Sequence, residues 1–235
     1  MKNIAIIPAR SASKGLPNKN IKELNGKPLL AYTIQAALES GLFEKVMVST
    51  DSDEYAKIAI AYGAEVPFLR SSENSRDNAS SWGVVKEVLQ SYELIGETFD
   101  VLALLQPTSP LRGAADILSA FQLMEERRAK AIISVCQTDP PIEQSNILPD
   151  DLSLVGFYDD RKYMPRQARR LMYHPNGAIY LYRVDAFFNQ ETIYDDACYA
   201  YIMNKIHSID IDDIEDFLMA ESILKNLEQE AGNKK

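Results

Sequence analysis

Short apolar runs alternate with stretches whose apolar positions recur every three or four residues, and the alternation holds up to about residue 136. The run Ile4-Ala5-Ile6-Ile7-Pro8 predicts a buried first strand over 4–8. Leu29, Leu30, Tyr32, Ile34 and Leu38 then fall at helical spacing over 28–40, where Gly41 ends the helix. A second buried strand over 46–51 leads through Asp51-Ser52-Asp53, a capping sequence, into a helix reaching Tyr62-Gly63. A short third strand is expected over 66–69, ending in Arg70. After the polar stretch 71–78, Asp77-Asn78-Ala79-Ser80-Ser81 announces the capped start of a helix over 80–92. A strand over 100–105, a helix over 114–127 and a strand over 131–136 complete the series. Such alternation predicts an α/β fold, a doubly wound and mostly parallel sheet with right-handed crossovers.

The pattern fails over 137–175, which is rich in proline and charge and has no long periodic helix or buried strand. A segment of that length in a compact domain is expected to be a lid, arm or interface. Sheet character resumes over 177–182, with Ile179 and Leu181 on one face and Tyr180 and Tyr182 on the other. Strands near 199–203 and 206–211 are expected next. An amphipathic helix over 213–229 closes the chain, carrying Ile214, Phe217, Leu218, Ser222, Ile223 and Leu227 on its apolar face.

Candidate chemistry gathers where predicted strands end. The first strand runs into Ala9-Arg10-Ser11-Ala12-Ser13-Lys14-Gly15-Leu16-Pro17-Asn18-Lys19-Asn20, whose small residues let main-chain N–H groups approach a phosphate while Arg10, Lys14 and Lys19 supply charge. Such a loop also occurs as a plain solvated connection. It is neither a Gly-x-x-x-x-Gly-Lys-Ser/Thr loop, because Lys14 precedes its glycine, nor a Gly-x-Gly-x-x-Gly turn. Pro107 and Pro110 stop the strand before them, leaving the Gln106 amide at its end to read a hydroxyl or carbonyl, or to satisfy a turn. In Ile209-Asp210-Ile211-Asp212, period-2 alternation sets both isoleucines on one face and both carboxylates on the other, with Cα atoms about 6.8 Å apart. That pair can converge on Mg²⁺. Asp213, Glu215 and Asp216 fit a helix start instead, as cap and first-turn acids.

Charge sharpens this picture. The 235 residues are 46% apolar and 25% charged, with a net charge of −9, which suits one large globular domain and argues against nucleic acid or an anionic membrane as partner. Yet cations concentrate at 1–27 and again at Arg161, Lys162, Arg166, Arg169 and Arg170, a distribution fitted to a small polyanion. A substrate carboxylate would call for a guanidinium from the second cluster. Cys136 and Cys198 lack Cys-x-x-Cys spacing, so reduced thiols and no zinc site are expected. With neither an apolar run of membrane length nor a signal-peptide pattern, a cytoplasmic protein is expected.

Five segments together resemble the acylneuraminate cytidylyltransferases, the CMP-sialic acid synthetases. They are Ile-Pro-Ala-Arg-Ser-Ala-Ser-Lys-Gly-Leu-Pro-Asn-Lys-Asn at 7–20, Val-Ser-Thr-Asp at 48–51, Leu-Gln-Pro-Thr-Ser-Pro-Leu-Arg at 105–112, Asn-Gly-Ala-Ile-Tyr at 176–180 and Ile-Asp-Ile-Asp at 209–212. The resemblance implies a single Rossmann-like nucleotidyltransferase domain over 1–235, with 137–175 as a dimerisation arm. It implies CTP and a nine-carbon acidic sugar as substrates, the CMP-sugar and diphosphate as products, and Mg²⁺ on Asp210 and Asp212. By similarity Arg10, Lys14, Lys19 and Asn20 hold the triphosphate or ribose, and Arg70 with the backbone around Ala79 and Ser81 selects cytosine. Gln106, Arg166, Asn176 and Tyr180 face the sugar. A homodimer is implied, with the 137–175 segment of each chain reaching the other's site. Where the family often has glycine between the first loop's serines, this chain has Ala12; Pro140-Pro141-Ile142-Glu143 offers an acid where a basic residue is usual, and His174 stands where an arginine often does. Those last two departures lie on the sugar side; they leave N-acetylneuraminate beside legionaminate or a related nonulosonate, with a 3-deoxy-octulosonate less favoured. A non-catalytic nucleotide-sugar-binding module on the same fold is the reading from a different class.

Overall fold

The computed structural model describes residues 1–12, 15–138, 146–156, 170–189, 192, 194 and 196–232. Its framework is a six-stranded sheet, built from β1 (Asn3–Pro8), β4 (Lys45–Ser49), β5 (Val101–Leu104), β6 (Ala131–Gln137), β7 (Tyr173–Arg183) and β8 (Cys198–Ile202), in the order β4-β1-β5-β7-β6-β8. Five strands share one direction; β7 runs against both its neighbours, β5 and β6. The beginning of β7 therefore lies at the same sheet edge as the carboxyl ends of β1, β5 and β6, the edge where open α/β sheets hold ligands.

Helices cover both faces. Ala5 and Ile7 of β1 and Val46 and Val48 of β4, with Ile179 and Leu181 of β7, pack on α1 (Leu29–Ser40), α2 (Asp53–Ala61) and α4 (Ala114–Arg127). Ile4, Ile6, Tyr180 and Tyr182 face the other way, against α3 (Ser81–Leu94) and α5 (Val184–Asn189), where Trp82 meets both tyrosines edge-on. The expected split of β7 between two faces is thus the observed one. A third, smaller core joins Leu16, Leu24 and Leu29 to Ile211, Phe217 and Ala220, seating α6 (Ile214–Gly232) against the start of the chain.

Local chemistry explains most boundaries. Gly41 closes α1 at φ 65°, Ser52 caps α2 by accepting from the Tyr55 N–H, and Ser80 caps α3 by accepting from that of Gly83. Four expectations need correction. The strand over 66–69 does not form; the single bridge there pairs Met47 with Glu65, since Pro67 has no N–H for a ladder. The strand over 206–211 is also absent: that segment is turn and irregular chain, tied to the neighbouring loop by Ile211 N–H donating to the Thr108 carbonyl at 2.8 Å. β7 begins at Tyr173, four residues before expectation. On α6, Phe217 and Ala220 are buried while Ile214, Leu218 and Leu227 are exposed, so the buried stripe is narrower than predicted. A short hairpin was overlooked as well: β2 (Glu23–Leu24) and β3 (Lys27–Pro28) are joined by Asn25-Gly26, both at positive φ, the usual two-residue hairpin signal.

Candidate active site

The loop after β1 is shaped from beneath by β4. Asp51, just past that strand, accepts from the main-chain N–H of Ser11 at 2.8 Å and from its hydroxyl at 3.1 Å. The chain then makes one 3₁₀ turn, Lys19–Ile21, entered through Asn18 in the left-handed conformation. Lys19 Nζ donates to the Ile211 carbonyl at 2.6 Å and pairs with Asp212 Oδ1 at 3.2 Å. Asn20 is buried; its Nδ2 donates to the Arg10 carbonyl, while its Oδ1 has no partner among the described residues. Gly15 is needed for close approach, since a Cβ there would stand 2.6 Å from the Asp212 carbonyl oxygen.

Opposite this loop, the 71–81 segment supplies the second wall. Arg10 Nη1 meets Asp77 Oδ1 at 3.0 Å and the Arg76 carbonyl at 3.3 Å. Arg70 is buried and lies against Ser49, donating to its hydroxyl and carbonyl; burial lowers its guanidinium to about 10, against the pull of Asp51 and Glu87. Glu87 on α3 holds the segment, accepting from Ser71 N–H, the Ser71 hydroxyl and Asn74. Burial alone would raise the Glu87 carboxyl, but these hydrogen bonds and the Arg70 charge outweigh it and leave it lowered. Together the walls enclose a cavity of about 520 Å³ lined by Arg10, Lys19, Asn20, Arg70, Ala79, Ser81, Gln106 and Asp212, and also by Asn74, Arg76, Asp77 and Thr108.

A second cavity of about 340 Å³ adjoins it, lined by Gln106, His174, Pro175, Asn176, Gly177, Tyr180, Ser208 and Asp210. Its form comes from an irregularity in the β6–β7 ladder. Between Ile133↔Tyr180 and Val135↔Pro175, β6 advances two residues and β7 five, so β7 bulges by three. The fully buried Ser134 hydroxyl fills the bulge, accepting from Ile179 N–H at 2.8 Å and meeting Asn176 Oδ1 at 2.6 Å. Asn176 Nδ2 donates to the Ser208 hydroxyl at 2.8 Å. The Asn176 amide is thus committed to the protein, and Asn176 contributes shape to the cavity it lines.

Gln106 lines both cavities, and the acid pair divides between them, Asp212 on the first and Asp210 on the second. Burial raises the Asp210 carboxyl; a hydrogen bond from Thr108 and the charge of Lys19 oppose this, whereas Asp212 and Asp216 add to it. Its Oδ1 is buried without a partner among the described residues. An orphaned carboxylate oxygen beside a second carboxylate fits a hard divalent cation that takes its other ligands from water and phosphate. No group of three or more candidate ligands forms among the described residues. Asp213 and Asp216 cap α6 as expected, Asp213 Oδ1 accepting from the Glu215 and Asp216 N–H groups.

Lys14 and Arg166 lie outside the described residues. The remaining candidates from the sequence all border one cavity or both. Sequence reasoning missed Arg76 and Asp77, which line the first cavity, and Arg112, which donates to the Gln106 carbonyl. The first two lay within a stretch read only as polar loop and helix start; the signal for Arg112 was a lone cation between Leu111 and Gly113.

The chain matches the cytidylyltransferase family profile over residues 4–230. It is 43% identical over 223 residues to an N-acylneuraminate cytidylyltransferase of Escherichia coli, covering 94% of this chain and 52% of that protein, so it spans about half that relative's length. It is 35% identical over 241 residues to a CMP-N,N'-diacetyllegionaminic acid synthase of Legionella pneumophila, covering 98% and 99%, and 32% identical over 226 residues to a pseudaminic acid cytidylyltransferase of Campylobacter jejuni, covering 96% and 97%. In fold it resembles a CMP:2-keto-3-deoxy-manno-octonic acid synthetase solved with CTP, at a TM-score of 0.73 and 17% identity over 96% of this chain and 99% of that one. The mixed sheet, the loop after its first strand and the matched length agree: the chain belongs to the cytidylyltransferase family.

Proposed function

We propose that this chain activates a nonulosonic acid of the sialic class with CTP, releasing the CMP-sugar and diphosphate, as an N-acylneuraminate cytidylyltransferase does. The observation that carries the reading is the pair of adjoining cavities meeting at Gln106, one rich in cations and the other lined mainly by uncharged hydrogen-bonding groups. In this reading Arg10, Lys14 and Lys19 hold the triphosphate, Asn20 the ribose, and Arg70 with the backbone of Ala79 and Ser81 the cytosine. Gln106, Tyr180 and Arg166 orient the sugar, with Asn176 shaping its pocket. The sugar's anomeric hydroxyl attacks the α-phosphorus in line, a new P–O bond forms as the bond to the bridging oxygen breaks, diphosphate leaves and the hydroxyl proton is lost. Asp210 and Asp212 would hold Mg²⁺, which supplies charge neutralisation at the phosphates. Lys19 and Arg10 stabilise charge building on the departing diphosphate.

Diphosphate release tests this, with CTP against ATP and GTP, and with N-acetylneuraminic, legionaminic and pseudaminic acids in turn. CTP with the neuraminic acid should dominate. Preference for legionaminic acid would move the assignment within the family, and equal turnover with ATP would overturn it.

No described helix is long and apolar enough to cross a membrane, and we assign the reaction to the cytoplasm. We also propose a homodimer in which the 137–175 arm brings Arg166 to the partner's Arg10. Arg10→Ala and Arg166→Ala proteins should each be nearly inactive. Unfolded together and reassembled, they should recover about a quarter of the sites, because half the dimers are mixed and each mixed dimer holds one intact site. No recovery despite detectable mixed dimers would assign both arginines to one chain's site.

A further inference from the structure

Arg112, in the segment between β5 and α4, is 1% exposed. Its three acceptors among the described residues are all neutral. Nη1 donates to the carbonyls of Gln106 at 3.3 Å and Ala178 at 3.1 Å, and Nη2 to the Thr33 hydroxyl at 2.7 Å. Nε has no partner among the described residues. The acid nearest in sequence, Asp116, is engaged elsewhere, by Gly113 N–H, the Tyr201 hydroxyl and His207 Nδ1. Burial accordingly lowers the guanidinium to about 10, with only partial relief from Asp116. A buried cation without a counter-ion is costly, and an apolar side chain of similar volume is often as stable or more so. What the guanidinium holds must therefore account for it.

It holds the partition between the two cavities. Thr33 Oγ1 also donates to the Gln106 carbonyl, at 3.3 Å, so the main chain of Gln106 is fixed from α1 and from Arg112 together. On the far side, Ala178 follows Gly177, whose φ is +76° and where a Cβ would stand only 3.2 Å from Gln106 Oε1. One nitrogen thus sets the spacing between the Gln106 residue that both cavities share and the β7 bulge that shapes the second.

We propose that Arg112 is a positioning residue, holding the Gln106 amide against Gly177 so that sugar and nucleotide meet at the distance the transfer needs. The inference rests on the reaction proposed above. It predicts that Arg112 acts through Gln106. Arg112→Met should melt within a few degrees of the parent protein, bind CTP by calorimetry within about threefold, and lose about tenfold or more in kcat/KM for the sugar. Combined with Gln106→Ala, it should cost less than about twofold beyond Gln106→Ala alone. Arg112→Lys keeps the charge but not the planar fork and should behave like the methionine variant. Losses that multiply in the double variant, or full activity with lysine, would overturn the inference. If Arg112→Met does not fold, Thr33→Val, which removes a hydrogen bond to the same carbonyl, enters the same comparison with Gln106→Ala. A parent protein that releases no diphosphate with any sugar sinks the proposed reaction; an active parent with independent losses sinks only the role of Arg112.

Discussion

The two cavities are built on opposite electrostatic plans. In the first, two of the cations are already matched by the protein's own acids, Arg10 by Asp77 and Lys19 by Asp212. In the second, the framework is a neutral network of Ser134, Asn176 and Ser208 buried beneath a bulge. A polyanion entering the first cavity has to exchange partners with charges that water and substrate can reach. The second is set by desolvated hydrogen bonds whose loss is felt by the fold itself. Charge in the first is therefore adjustable at modest cost, whereas shape in the second is not.

The largest effect is expected where the plans meet. Asp210→Asn should lower turnover by about a hundredfold or more, with excess Mg²⁺ restoring little, because an amide is a poorer ligand for a hard cation. The metal-free variant should melt no lower than the parent, since it removes a buried charge of which one oxygen has no partner among the described residues. Unchanged rate and metal dependence would return Asp210 to a structural role.

Next, Asn176→Ala should cost about 2 kcal/mol of stability in urea titrations by stripping buried partners from Ser134 and Ser208. Sugar KM should rise several-fold while CTP affinity holds. A variant as stable as the parent would show that the bulge does not depend on this network.

Asp77→Asn should have a smaller effect of opposite sign. Removing the charge paired with Arg10 should lower KM for CTP by about two- to fivefold at low salt, less at high salt. A raised KM would mean that Asp77 orients Arg10 for the phosphates instead of competing with them.

The smallest effect concerns pH. The Glu87 carboxyl is lowered in the folded protein from its ordinary 4.5, so its contribution to stability is present above 4.5 and lost as pH falls through the depressed value. The advantage of the parent over Glu87→Gln in urea titrations should be constant above pH 5 and shrink below 4.5. A difference independent of pH would assign the holding of 71–74 to something other than this carboxylate.

The contrast also explains what was legible in the sequence. Arg10 and Lys19 announced themselves because charges following a short apolar strand are local signals. The alternating strands and helices up to 136 could be read the same way, through period and caps. The second cavity depends on where β7 pairs and on a three-residue mismatch against β6, and no local pattern encodes either. Pairing is also why 206–211 misled: Ile209-Asp210-Ile211-Asp212 has a strand's alternation, yet no strand among the described residues lies beside it to complete a ladder. Arg112 stayed hidden because its role depends on carbonyls at Gln106 and Ala178, and its position in the sequence says only that it is a cation.

The small third core has a consequence for how the protein is made. Leu16, Leu24 and Leu29 pack against Ile211, Phe217 and Ala220, and Lys19 gives its shortest hydrogen bond to a carbonyl 192 residues further along. During vectorial synthesis the sheet and its helices can assemble while the first loop still lacks its floor. That loop is translated well before the segments that floor it, so a nascent chain acquires its complete cation-rich cavity only once α6 has emerged.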